Sequence, residues 1–463
     1  EKGGISLKKN DEIELDVIDN GMNLEGISRS ENKVVFIPGA IQGEKVLARI
    51  IKVNNSFCIG KVQEVLEKSR YRVEPFCNVF KRCGGCSGQH ISYEKQLEIK
   101  KKIVKNTLDK QNVEYSKIND VIGMGIPWYY RNKAQYPVRK TIDGENKIGF
   151  YAKRSHDIIE NEECFIQNQD IDKLSKEVFK ILLLNGFDGY NEQNGTGDIR
   201  HILIRRGYHT GQTMIVIVVN NEKILSDVRI EKVVNLLKED ESIKTIVLNV
   251  NTSKTNEILG NNEKIVYGDG YITDYIGKYK YYISSKSFFQ VNTTQAEVLY
   301  NTLREKLELT GKEVLFDLYS GVGSIGIFLS DDVEKVYGIE IEEQAVKMAN
   351  MNTKINNVEN AEYIAGSVEN KIVEFKNRNI HPDVIVVDPP RKGLDLESIE
   401  YILKFNAKKI GYVSCSPATF ARDLKLLSQY YDIGDVTPVD MFPHSEHIEN
   451  VVVLTRKEIL LKD

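Results

Sequence analysis

A single tryptophan, six cysteines and ten prolines are spread through 463 residues, and no stretch holds eighteen consecutive apolar residues. That last absence excludes a membrane-spanning helix, and no leader of basic then apolar residues opens the sequence, so the expected location is the cytoplasm. Six cysteines are too few for a disulfide scaffold, and in that compartment their thiols are expected to be reduced. A strong excess of one charge is missing as well. With 63 Lys and Arg against 67 Asp and Glu, the formal net charge of −4 excludes a protein coated in basic surface. Neither internal repeats nor low-complexity segments occur. The remaining composition, 41% hydrophobic and 28% charged, describes an ordinary globular protein of roughly two to four domains.

The mean charge conceals an asymmetry. Residues 68 to 110 carry eleven basic residues against four acidic ones, and this stretch encloses Cys77, Cys83 and Cys86. Short basic runs recur at Arg131/Lys133, Arg139/Lys140, Lys153/Arg154 and Arg205/Arg206. A localised basic face on an acidic protein fits a polyanion such as nucleic acid, although a solvated helix face accounts for residues 95 to 110 equally well. The three clustered thiols are open to a metal, a disulfide or redox chemistry.

Along the chain, residues 11 to 66 alternate apolar and polar positions in about five short runs separated by Asn20-Gly21, Pro38-Gly39 and Asn54-Asn55. That pattern predicts a small OB-like β-barrel. A helix is expected from Tyr93 to Lys110. Residues 127 to 280 mix strands with helices near 168 to 185 and 226 to 239, which reads as an α+β domain without a chemical motif. From about 284 strands alternate with helices and end in a late strand pair, the pattern of a doubly wound, Rossmann-like sheet of about seven strands. Ligands of such sheets bind beyond the carboxyl ends of the strands.

Residues with chemical potential lie at those ends. After the first strand comes Asp317-Leu-Tyr319-Ser320-Gly321-Val-Gly323-Ser-Ile-Gly326, and Glu340 closes the second strand. The glycines let backbone approach a nucleotide, and the acid can accept both ribose hydroxyls. NAD, FAD and S-adenosylmethionine all fit the pattern; Asp317 tilts it towards the last. After the fourth strand, Asp388-Pro389-Pro390-Arg391 forms a rigid turn that presents a carboxylate to a planar base. After the fifth, Ser414-Cys415-Ser416-Pro417 places Cys415 at a helix N-terminus, where Ser416 is expected to cap and the dipole to favour thiolate. Between the final strands, Pro443-His444-Ser-Glu446-His447-Ile-Glu449 offers a carboxylate as general base beside Cys415. No further cysteine or histidine nearby supports a zinc site there.

With these motifs in this order, the chain closely resembles, over nearly its whole length, the bacterial RNA uracil-5-methyltransferases that use S-adenosylmethionine. "YYRNKAQYPVR" (129 to 139) and "SFFQVN" (287 to 292) also match that family. The resemblance implies four parts: a TRAM barrel at 6–66, a cysteine segment at 67–92, a central α+β RNA-binding domain at 93–283 and a methyltransferase domain at 284–463. It implies Cys415 as nucleophile, Glu449 as proton-abstracting base, and Gln290, Tyr319, Gly321, Gly323, Glu340 and Asp388 around the methyl donor and the base. It also supplies a fourth thiol. Cys77, Cys83, Cys86 and the distant Cys164 are similar to the family's [4Fe–4S] site, whereas spacing alone leaves zinc and a cluster level. Cys58 is then the spare. The family usually has Cys where Ser320 stands and Asn where Ser416 stands.

The expected substrate is an RNA uridine flipped out of its stack, in large-subunit ribosomal RNA because of the barrel and four cysteines, with a monomeric enzyme. Phe288, Phe289 and Tyr319 are candidates for stacking on that base. Transfer RNA and a cytosine-5 reaction are the alternatives within this chemistry. Outside it, a dehydrogenase leaves Asp388, Cys415 and Glu449 unexplained, and a non-catalytic RNA-binding module explains only the barrel and basic patch. A radical S-adenosylmethionine enzyme conflicts with the cysteine spacing.

Overall fold

The computed structural model describes residues 7–30 and 32–458. Ser6 and residues 459–463, at the two ends of the expected domain series, lie outside the described residues. Among the described residues no helix is long and apolar enough to cross a membrane.

The N-terminal alternation closes into one sheet of six strands, β1 (Glu12–Asp16), β2 (Asp19–Asn20), β3 (Gly26–Ser30), β4 (Lys33–Ile37), β5 (Lys45–Val53) and β6 (Phe57–Glu67). They lie in the order β1-β5-β6-β4-β3-β2. Alternate residues Val35, Ile37, Val46, Ala48 and Ile50 point into a common core, as the two-residue period of a strand requires. Cys58 is fully buried among them and serves as a small apolar side chain.

Helix α1 (Tyr93–Lys110) packs away from the central sheet. The sequence reading places it at the start of the central domain, but two stripes of the helix are buried elsewhere. Ile99 and Ile103 meet Leu24, Ile41 and Ile91 beside the barrel, while Val104 and Leu108 join the core of the C-terminal sheet. The helix is therefore a wedge between barrel and C-terminal sheet, held by apolar area on both sides.

The central region contains β7 (Lys133–Lys140), β8 (Asn146–Ile148), β9 (Phe150–Tyr151), β10 (Ile158–Ile159), α2 (Gln169–Leu184), β11 (Ile199–Arg206) and β12 (Thr213–Val219). α3 (Val228–Leu237), β13 (Ile243–Val250) and β14 (Asn262–Tyr267) complete it. Its main sheet runs β14-β13-β12-β11-β7-β8. Every residue of β12 is buried, which explains its unbroken apolar run: α2 and α3 cover one face and the C-terminal core covers the other. A hairpin, β15 (Tyr271–Ile276) and β16 (Tyr279–Ser284), then leads into α4 (Thr293–Leu307).

The C-terminal sheet is built from β17 (Val314–Leu318), α5 (Ser324–Leu329), β18 (Lys335–Glu340), α6 (Glu343–Ile355), β19 (Ala361–Ala365), α7 (Val368–Asn377) and β20 (Val384–Val387). α8 (Leu396–Phe405), β21 (Lys409–Ser414), α9 (Pro417–Leu427), β22 (Tyr431–Ile433), β23 (Thr437–Val439) and β24 (Glu449–Arg456) follow. The path is β19-β18-β17-β20-β21-β24-β22, with β23 also pairing β24. Strands up to β21 are parallel and β24 is antiparallel. β22 and β23 both pair with β24, and the ladder is broken between them at Gly434-Asp435-Val436.

Part of the expected basic charge is taken up by partners within the protein, although most cations of residues 68 to 110 are exposed. Lys100 is fully buried and paired with Asp440 at 2.6 Å. Arg72 pairs with buried Glu44, and Lys101 and Lys102 pair with Asp120 and Asp19. Arg139 and Arg205 are buried as well, donating to the carbonyls of Arg200 and Ser287. Burial also pulls the Lys133 ammonium down to about 7, helped by Arg205 and Arg131. Runs of Lys and Arg read alike from sequence whether water or a distant carboxylate satisfies them.

Candidate active site at the carboxyl edge of the sheet

Three strand ends bring the catalytic candidates together. Asp388 follows β20, Cys415 follows β21, and Glu449 opens β24, which runs back alongside β21. Ser414 is registered opposite Asn450, so the next step outward sets Cys415 opposite Glu449. Val387 pairs Tyr412 on the neighbouring strand, which leaves Asp388 beside them at the same edge. Glu449 is 5% exposed, while Asp388 and Cys415 are half-buried.

The electrostatics differ from the sequence expectation. Burial pushes the Cys415 thiol up to about 12, with Glu449 and Asp388 adding to the rise and Arg391 opposing it. The helix dipole of α9 is outweighed because two carboxylates and poor solvation both disfavour a second negative charge. Burial likewise raises Glu449 to about 8, reinforced by Asp388, and raises Asp388 to about 7. Ser416 occupies the N-cap position with Pro417 in the first turn, but its side chain makes no capping hydrogen bond. Its N–H instead donates to Ser414 Oγ at 3.2 Å.

Sequence reasoning assigned no role to Arg391, His447 or Asn450. An Arg391 guanidinium nitrogen lies 3.3 Å from His447 Nε2, and the Arg391 carbonyl accepts from Thr419 Oγ1 on α9 at 3.0 Å. The fourth residue of Asp-Pro-Pro-Arg thereby ties the β20 turn to the Cys415 helix and to the loop before Glu449. Asn450 is fully buried and neither side-chain polar atom has a partner.

At the nucleotide end, Gly321 and Gly323 hold left-handed φ values of 53° and 80°, conformations that glycine adopts freely. A Cβ on Gly321 would meet nothing within 4 Å, so that position faces open space, whereas one on Gly323 would meet the Tyr363 ring at 2.8 Å. Glu340 accepts the Gly321 and Glu342 N–H groups, one per oxygen, at 2.9 and 3.0 Å. Each carboxylate oxygen retains a lone pair for a ribose hydroxyl. Ser320 Oγ is buried without a partner, and Tyr319, at φ 61°, donates to Ser398 Oγ. Open space, an unsatisfied hydroxyl and a poised acid fit a nucleoside-bearing methyl donor. Gln290 is buried, its carbonyl held by Asn132 Nδ2, and nearby Asn292 Nδ2 donates to the Met441 carbonyl at 3.0 Å. Phe289 is packed in the core and Phe288 is exposed, so only Phe288 and the half-buried Tyr319 retain surface for stacking.

The cysteine segment is hydrogen-bonded to the loop before Glu449. Ser87 and Gly88 donate their N–H groups to the His444 carbonyl at 3.0 and 2.9 Å, and Ser87 Oγ donates to Glu446 at 2.7 Å. On its other side, Gly84 N–H bonds the Tyr151 carbonyl. All four expected thiols are free and half-buried. Burial pushes Cys86 up to about 12, with Cys164, Cys83 and Cys77 adding to the rise, and it raises Cys164 to about 11. The donor chemistry fits a four-thiolate site. Among the described residues, however, no three His, Cys, Asp or Glu groups are set to hold a metal ion. Ligands of a polynuclear cluster bind different irons and stand wider apart than ligands of one ion.

The comparisons agree with this layout. The model of the tRNA (uracil-5-)-methyltransferase family matches residues 92–457, and that of the TRAM domain matches residues 7–65. A protein of Clostridium acetobutylicum named as an uncharacterized RNA methyltransferase is 46% identical over 98% of both chains. One of the same description from Enterococcus faecalis is 41% identical over 97% of this chain and 98% of its own. Among solved structures, the Pyrococcus abyssi tRNA (uracil-54, C5)-methyltransferase, in complex with S-adenosyl-L-homocysteine, superposes with a TM-score of 0.75. It is 26% identical and the match covers 96% of this chain and all of that one.

Proposed function

The chain belongs to the tRNA (uracil-5-)-methyltransferase family, and from that premise we propose that it transfers a methyl group from S-adenosylmethionine to C5 of a uridine in RNA, acting as a cytoplasmic monomer. The observation that carries this reading is the register of Ser414 opposite Asn450, which brings the next residues, Cys415 and Glu449, to one sheet edge, with Asp388 on the adjoining strand end.

Uracil C5 is too weak a nucleophile to attack a sulfonium methyl unaided. Cys415 sulfur adds to C6, the C5–C6 π electrons move onto the C4 carbonyl oxygen, and the resulting enolate is electron-rich at C5. C5 then displaces the methyl group, and the donor leaves as the neutral thioether. Glu449 removes the C5 proton, the double bond re-forms and the thiolate departs. Because burial raises the resting Cys415 thiol to about 12, two protons are moved in each turnover, one from sulfur and one from C5. Asp388 and Glu449 supply two acceptors. Glu340, Gly321 and Gly323 hold the donor's nucleoside, and Gln290 and Tyr319 line the same cleft.

Cys77, Cys83, Cys86 and Cys164 would hold a [4Fe–4S] cluster. Methyl transfer from a sulfonium consumes no electron, so its contribution there is a rigid cross-link between the cysteine segment and the central region. Large-subunit ribosomal RNA is the expected substrate on the resemblance of barrel and cysteines. The full-length likeness to a tRNA enzyme favours a second reading, transfer RNA.

Release of tritium from C5-labelled uridine tests the reaction, using ribosomal and transfer RNA transcripts in parallel. Release with mass mapping to 5-methyluridine supports the proposal, and the transcript that reacts decides the substrate. Labelling only at cytosine, or none in either RNA, overturns it.

A further inference from the structure

The chain's only tryptophan stands in an aromatic cluster outside the strand-end site. Trp128 stacks on the His444 ring with centroids 3.8 Å apart and planes 18° from parallel. Phe76 meets Trp128 edge-on at 4.7 Å, and Phe165 closes the group at 6.5 Å from Trp128 and 6.2 Å from Phe76. Four distant segments supply these rings. Residues 129 and 131 donate their N–H groups to the carbonyls of Phe165 and Ile166, and Tyr129 holds a left-handed φ of 55° to do so. A non-glycine residue takes that conformation at a cost, which marks a position fixed by its surroundings.

The cluster is not a closed core. Phe76 is 64% exposed and neighbouring Ile126 is 74% exposed. A ring left in water and backed by two other rings offers an open aromatic face for stacking. The turn that continues from Phe76 exposes Lys81 and Arg82. Among the described residues neither Lys81 nor Arg82 has a carboxylate partner within ion-pair distance, unlike most cations of α1. Beneath the cluster, His444 begins the turn that ends at Glu449, and its ring is held neutral, burial lowering it to about 3.

We infer that Phe76, backed by Trp128 and Phe165, is a stacking platform for an unpaired RNA base outside the catalytic pocket, with Lys81 and Arg82 contacting the adjoining phosphates. This rests on the reading of the chain as an RNA-modifying enzyme and names a second contact for the same substrate. An aromatic face is indifferent to base identity and the cations to sequence, so the platform accepts any splayed base. Its edge-on contact with Trp128, and the stack of Trp128 on His444, connect it to the turn that carries the general base. Phe76 and Phe165 each adjoin a cysteine of the four-thiol set, Cys77 and Cys164, so the same framework that gathers the thiols gathers the rings.

Because Trp128 is the sole tryptophan, its fluorescence reports this location alone. Oligouridylate titrated into the full-length protein is expected to quench it saturably, whereas heparin, a polyanion without bases, leaves it unchanged. Phe76→Ala is expected to bind oligouridylate about tenfold more weakly, and Phe76→Tyr to bind like wild type. Equal quenching by heparin, or Phe76→Ala affinity within twofold of wild type, overturns the platform. Should Phe76→Ala lower the melting temperature, the wild-type contrast between oligouridylate and heparin still decides. No methyl donor is present in this titration. A protein that methylates uridine but shows no Trp128 response therefore refutes the platform alone, and one that quenches but releases no tritium refutes the methylation reading alone.

Discussion

Cys415 and Cys86 are both half-buried thiols raised to about 12, but their neighbours differ. Around Cys415 the opposing charges are carboxylates, Glu449 and Asp388, and a guanidinium, Arg391, pulls the other way. Around Cys86 the neighbours are other thiols, Cys164, Cys83 and Cys77, and the Gln89 side chain lowers it. The first arrangement has proton acceptors and a cation built in, so the sulfur can ionise when a base fills the cleft. The second has one cation, Lys153, beside Cys83 and Cys86, one charge among four thiols, so an external positive charge is what would make all its thiolates stable. Proton acceptors beside one thiol and further thiols beside the other separate a nucleophile from a ligand.

Removing the working sulfur breaks the comparison most sharply. Cys415→Ala is expected to lower turnover at least about a thousandfold while RNA affinity, measured by filter binding, stays near wild type. Next in size is the joint between the two regions. Lys100 and Asp440 are both 0% exposed, and Asp440 also accepts from Tyr93 at 2.8 Å. Lys100→Met leaves a buried carboxylate without its cation and is expected to cost about 3–5 kcal/mol in urea denaturation. Lys100→Met combined with Asp440→Leu should cost clearly less, since both charges leave together.

Third, Cys86→Ser is expected to abolish iron binding, read by metal analysis of protein purified without oxygen. Activity should fall by about ten- to a hundredfold, the range for lost support of a site, while Cys415 still reacts with iodoacetamide. Loss of Cys415 alkylation in that variant would dissolve the distinction between the two thiols. The smallest effect is electrostatic. Arg391 lowers both Cys415 and Glu449, so Arg391→Gln raises both and shifts the alkylation profile of Cys415 upward by about one pH unit. Arg391→Lys should restore it. In wild type, kcat/KM should rise with pH through the titration of the Asp388–Glu449 pair and flatten above about 8, because the base form accepts the proton.

Residues at strand ends were legible in the sequence because a doubly wound sheet gathers them at one edge whatever the helices do. Asp388, Cys415, Glu449 and Glu340 each directly follow or bound an apolar run, so their positions could be read locally. Charges were not. Lys100, Lys101 and Lys102 look identical along the chain, but the partner of Lys100 is 340 residues away and fully buried. Arg139 and Arg205 read as RNA-facing until carbonyls from Arg200 and Ser287 are seen to take them. The ionisation of Cys415 was misread for a related reason. Its helix end is local, whereas Glu449, the carboxylate across the sheet, is not. The wedge role of α1 also depends on surfaces supplied by regions before and after it.

The most direct test of the central claim uses RNA in which the target uridine is replaced by 5-fluorouridine. Fluorine cannot leave C5 as a cation, so Glu449 has no proton to remove and Cys415 cannot be eliminated. The account predicts a covalent protein–RNA adduct, formed in the presence of S-adenosylmethionine, mapping by mass spectrometry to Cys415 and carrying one added methyl group. Methylation of ordinary uridine without any adduct on the fluorinated RNA, or an adduct on Cys77, Cys83, Cys86 or Cys164, would contradict it.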